Sequence, residues 1–129
     1  MLTQTIYVPQ YGWKILLYAD FTCKDTDIVV RALENIDCHG AVLERAKWSM
    51  GGCMPNTGLT YSSSDYRTSV VVVYQTTSGK EFLNTLTHEC THVCAHIARS
   101  FLIKIKEEEF CELVAQVTSD CYPTVKEIL

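Results

Sequence analysis

The sequence predicts a single α+β domain, a small sheet packed against helices, and three observations carry that prediction. The segments run in the order strand, helix, strands, helix, helix. The run Val70-Val71-Val72-Val73-Tyr74 is the clearest strand in the chain. With 129 residues and 47% hydrophobic composition, there is material for one core and not for two. No repeat, low-complexity tract or polar linker divides residues 1–129.

Taken in order, the first element is a strand around Trp13 to Tyr18, an almost continuous apolar run that suits burial. A helix follows from about Thr26 to Asp37, with Ile28, Val29, Ala32, Leu33 and Ile36 on one face, an N-cap at Asp25 or Thr26, and Gly40 as its end. Ala41 to Ala46 reads ambiguously, with a second strand as one option. Gly51-Gly52 and Pro55-Asn56-Thr57-Gly58 mark a loop. Leu59 to Ser63 and Ser69 to Gln75 then form an antiparallel hairpin across the polar turn Ser64-Asp65-Tyr66-Arg67.

The next helix starts at Ser78-Gly79, with Ser78 as N-cap and Glu81 completing a capping-box pattern. Phe82, Leu83, Leu86, Cys90, Val93, Cys94, Ile97 and Phe101 recur as one apolar stripe. Within it stands His88-Glu89-Cys90-Thr91-His92, an H-E-x-x-H motif. Two histidines four residues apart lie on one helix face, so both imidazoles can bind one zinc ion. Glu89 falls between them and the stripe, placed to act as general base on a metal-bound water. The ligand face therefore borders the core, where the floor of a cleft belongs.

A hydrolytic zinc takes three protein ligands and keeps one position open for water. His96 continues the series, but a rise of about 12 Å along a helix separates it from His88, too far for one ion. The run Glu107-Glu108-Glu109 opens a further helical pattern through Phe110, Leu113, Val114 and Val117. Glu108 shares a face with the small residues Cys111 and Ala115, which would let this helix approach the first closely, so Glu108 is the favoured third ligand and Glu112 the reserve. Glu107 and Glu109 read as solvated acids that complement the helix dipole.

With these residues in place, the stretch from about 69 to 117 resembles the minimal metallopeptidase-like domains of bacteriophages and prophages, and more widely the gluzincins. Their second helix typically reads Glu-x-x-Ala-x-x-x-Gly; here Cys111 and Ala115 stand at the small positions after Glu108. The resemblance implies His88, His92 and Glu108 as zinc ligands, Glu89 as general base and a peptide or protein as substrate. It also implies that a strand preceding the motif helix lines the cleft and pairs with an extended substrate. Ser69 to Tyr74 occupies that sequence position, although four consecutive valines equally suit a central strand buried on both faces. Tyr61, Tyr66, Arg67 and Tyr122 are the candidate donors to a developing oxyanion. A non-catalytic zinc-binding or protein-interaction module on the same scaffold is the alternative, since so short a chain leaves little for a substrate-binding subdomain.

A net charge of -4, with the 11 basic residues scattered, gives no footprint for nucleic acid. No apolar stretch approaches the roughly 18 residues that a membrane span requires. Seven cysteines are an odd number, and the N-terminus lacks a basic-then-apolar leader pattern, so a reducing cytoplasm is the expected setting. Cys90 and Cys94 lie on the core stripe and read as small buried hydrophobes.

Overall fold

The computed structural model describes all 129 residues and has the expected α+β architecture. Its strands are β1 (Leu2–Val8), β2 (Trp13–Phe21), β3 (Gly58–Ser63) and β4 (Thr68–Tyr74), joined in one sheet of order β1-β2-β4-β3. The helices are α1 (Thr26–Asn35), α2 (Gly40–Gly51), α3 (Gly79–Ser100), α4 (Glu108–Asp120) and α5 (Tyr122–Ile128). Strand β2 runs parallel to β4, while β1 and β3 pair antiparallel to their neighbours.

Helices cover both faces of the sheet, and this explains the valine run. Val71 and Val73 join Trp13, Ile15, Leu17 and Ala19 in a core closed by α3, α4 and α5. Val70 and Val72 point the other way, into a second core with Val29, Leu33, Leu43 and Met50 of α1 and α2. Successive strand residues face opposite sides, so an interior strand between two helical layers must be apolar at every position. Strand β4 is thus the buried central strand. The free edge beside α3 belongs to β3.

Several local readings change. Ala41 to Ala46 is helix, not strand: Leu43, Ala46 and Met50 are buried at helical spacing against the sheet. Gly40, with φ 65°, does not end α1 but opens α2, and the left-handed residue after α1 is Asp37 at φ 67°. Strand β1 and helix α5 had no strong apolar pattern of their own. They are held by neighbours, Gln4 donating to the Asp120 carbonyl at 2.6 Å and Ile6 and Val8 sealing the core. Ser78 does cap α3, its hydroxyl accepting from the Glu81 amide at 3.1 Å. Leu83 leaves the apolar stripe and is exposed, whereas Cys90 and Cys94 are buried free thiols. Burial pushes the Cys94 thiol up to about 12.

Cys23 and Cys53 form a disulfide across a separation of 30 residues, where the cysteine count pointed to reduced thiols throughout. Closing a loop of this length contributes about 3–4 kcal/mol by restricting the unfolded chain. The bridge ties the end of β2 to the segment that leads into β3. No helix is long and apolar enough to cross a membrane.

Candidate active site

Helix α3 carries the motif along the flank that faces β3. Its 22 residues turn about 100° each, so positions 89 and 96 fall on nearly the same line, and both meet β3. Thr60 donates its hydroxyl hydrogen to Glu89 Oε1 at 2.8 Å. Two residues along the strand, Ser62 Oγ stands 2.6 Å from His96 Nδ1. The third residue on this strand face is Gly58, where a Cβ would lie 2.8 Å from Glu89 Cγ and 2.8 Å from the Val72 carbonyl oxygen. Only glycine allows so close an approach of strand and carboxylate. Gly58→Ala is expected to destabilise the fold by about 1–3 kcal/mol through overpacking, read as a lower urea midpoint at unchanged slope. An unchanged midpoint would show that the helix yields freely here.

His88 and His92 project outward beside this contact. Their Nε2 atoms are 3.2 Å apart, with ring centroids at 4.8 Å. Two nitrogens each about 2.0–2.1 Å from a tetrahedral zinc would be separated by about 3.3 Å, so the pair fits two corners of such a site. The same approach makes an N–H···N hydrogen bond when one of the two nitrogens carries a hydrogen. Glu89 is 6% exposed, and while Thr60 holds Oε1, Oε2 lies 4.0 Å from His88 Nε2. The carboxylate is therefore fixed with one oxygen on the histidine side.

The third ligand is not brought to the pair. No set of three His, Cys, Asp or Glu side chains stands together in a way that could hold a metal ion. Cys90 shows why: its sulfur is 3.8 Å from that of Cys121 at the end of α4, so the Cys90 flank of α3 is the one facing α4. His88 and His92 each lie two residues from Cys90, about 200° around the helix, and so point away from α4. The small-residue face of α4 does not serve the predicted close approach either. Glu108, Cys111, Glu112 and Ala115 are all exposed, and α4 packs through Phe110, Leu113 and Val117. Glu109 accepts from the Tyr11 hydroxyl at 2.6 Å; burial, followed by this contact, pushes the tyrosine up to about 12.

Two separate recesses lie along the β3–α3 seam, a groove interrupted where Thr60 meets Glu89. One, about 300 Å³, is walled by Asn56, Thr57, Asn84 and Thr85 and floored by His88 and Glu89. The other, about 400 Å³, lies at Ser62, Ser64, His96, Arg99 and Ser100. Each has room for one or two side chains. Of the candidate oxyanion donors, Tyr61 packs toward the α1–α2 face, Arg67 lies 5.3 Å over the Phe101 ring, Tyr66 sits in the β3–β4 turn, and Tyr122 is exposed on α5. None lines the recess at His88.

Thr60, Ser62, Gly58 and His96 are the members that sequence reading passed over or set aside. A signal was present. Leu59 and Tyr61 alternate with small or polar residues, which is the pattern of a strand with one face on the core and the other on a polar site. No protein-family model, curated protein or solved structure matches the chain.

Proposed function

We propose that the protein is a zinc-dependent peptide hydrolase whose metal is held by His88 and His92 and whose general base is Glu89. The convergence of the two Nε2 atoms to 3.2 Å, beside a buried carboxylate and a free strand edge, carries this reading. Zinc bound there would supply Lewis-acid polarisation of water and of a substrate carbonyl. Glu89 Oε2 accepts the water proton, with Oε1 anchored by Thr60 so that the carboxylate does not swing. Strand β3 has no strand beyond it, so its outward backbone groups are available to an extended peptide, which would lie across the histidines. The unmatched third position favours a second reading, in which the pair binds metal without catalysis and the groove serves to hold a partner peptide.

The resemblance implies Glu108 at that position, but as α4 packs here Glu108 is exposed on the far flank of α3 and would reach the pair only if residues 101–107 and the first turn of α4 moved. The deciding experiment is a peptide-library digest followed by mass spectrometry, with zinc and with a chelator. Cleavage that the chelator stops and zinc restores is expected. A zinc-loaded protein that cuts nothing while still binding library peptides would replace the hydrolase with the non-catalytic reading.

A further inference from the structure

We propose that the recess at the Ser62 end of the groove is a subsite for a carboxylate of the bound peptide, held by His96 and Arg99. The proposal rests on the groove being the peptide site, and it goes beyond that reading by assigning what the peptide must carry.

A chain of hydrogen bonds leads from the core to this recess. Trp13 Nε1 lies 3.0 Å from Ser69 Oγ, Ser69 Oγ is 2.6 Å from Ser62 Oγ, and Ser62 Oγ is 2.6 Å from His96 Nδ1. An indole N–H can only donate, so Ser69 Oγ accepts from Trp13. Ser69 is fully buried and its hydroxyl hydrogen has no other acceptor than Ser62, so Ser69 donates to Ser62, whose own hydrogen is then free to go to His96 Nδ1. With Nδ1 accepting from Ser62, His96 carries its hydrogen on Nε2, and no protein group accepts it there. Burial, then Arg99 and His92, lowers the pKa of His96, in keeping with a neutral ring.

Arg99 adds a guanidinium to the same recess and makes no ion pair within the protein. Thr60, Tyr61 and three serines complete the lining. The serine hydroxyls are already engaged: Ser100 donates to the His96 carbonyl at 3.0 Å and accepts from Ser64 at 2.8 Å. No acidic residue lines the recess. An unpaired guanidinium beside an unmatched ring N–H, with no carboxylate in the lining, is complementary to an anion, and a guanidinium binds a carboxylate with two parallel bonds. In a peptide this is an Asp or Glu side chain or the chain's own C-terminal carboxylate. His88 and His96 are two helical turns apart, about 12 Å along α3, so the carboxylate would belong to a residue three or four positions from the one at the histidine pair.

The test reads binding directly and does not need turnover. The ring signal of His96 Nε2 and the Nε signal of Arg99 are followed by NMR while three short peptides are added: one with a central Asp and an amidated C-terminus, its Asn counterpart, and the Asn peptide with a free C-terminus. An acidic side-chain subsite moves both signals with the first peptide alone; a terminal-carboxylate subsite moves them with the third alone. Arg99→Gln is expected to weaken the effective peptide about tenfold, the loss of one charge-assisted contact. Equal response to the neutral peptide, or Arg99→Gln binding as the parent does, overturns the subsite. Peptides that bind and shift His88 and His92 but leave His96 and Arg99 unmoved overturn it too, with the groove reading intact. If the carboxylate moves His96 in a protein that cleaves nothing, the hydrolase reading falls and the subsite stands.

Discussion

Glu89→Gln is expected to keep the fold and the zinc while reducing peptide cleavage by about 10²–10⁴-fold, the range associated with loss of general-base catalysis. Glutamine is close to isosteric, and its Oε1 can still accept from the Thr60 hydroxyl that now reaches Glu89 at 2.8 Å. Its amide nitrogen would take the place of Oε2, on the histidine side, and an amide cannot accept a proton from water at neutral pH. The measurement is kcat on a cleaved library peptide, with zinc content and circular dichroism taken on the same sample. A Glu89→Gln protein that turns over at the parent's rate removes Glu89 from the mechanism. Thr60→Val provides a graded check, since it frees the carboxylate without removing it, and should lower kcat far less.

The second large effect is on the metal. The parent is expected to carry about one zinc per chain, and His88→Ala and His92→Ala are each expected to lose affinity by more than about 100-fold, the upper end seen when only an outer partner of a ligand is removed. Both histidines are exposed, so truncation should leave the core and the melting temperature of the metal-free protein nearly unchanged. Isothermal titration with zinc on untagged protein separates binding from folding. Alanine variants of Glu108 and Glu112, run alongside, are expected to bind within a few-fold of the parent, because both acids are exposed on a helix that packs on the far flank of α3. A loss at either one that matches the loss at His88 would show that α4 turns toward the pair when metal binds. Retention of parental affinity in both histidine variants would end the metal site altogether.

The sequence by itself determined the elements with strong internal period. The H-E-x-x-H helix, its Ser78 cap, the hairpin across residues 64–67 and the burial of Cys90 and Cys94 were legible because local chemistry decides each of them. It determined too that His88 and His92 share a face, since four residues make a little over one turn. Strand β1 and helix α5 were not legible, because their stability comes from long-range partners such as Gln4 with Asp120 and Thr124. Cys23 with Cys53 was hidden for the same reason, no spacing rule linking thiols 30 residues apart.

Only the tertiary structure decided which strand borders the motif. Four valines fit a cleft strand or a central one equally well by sequence, and the second helical layer of α1 and α2 settled it by burying Val70 and Val72. The same holds for the third ligand. Small residues at Cys111 and Ala115 allow close helix packing without directing it, whereas Phe110, Leu113 and Val117 bury far more apolar area and so choose the face that meets α3. That choice turns Glu108 to solvent, and it leaves Glu89 and His96 facing β3, where Gly58, Thr60 and Ser62 lie, with the histidine pair projecting outward beside them.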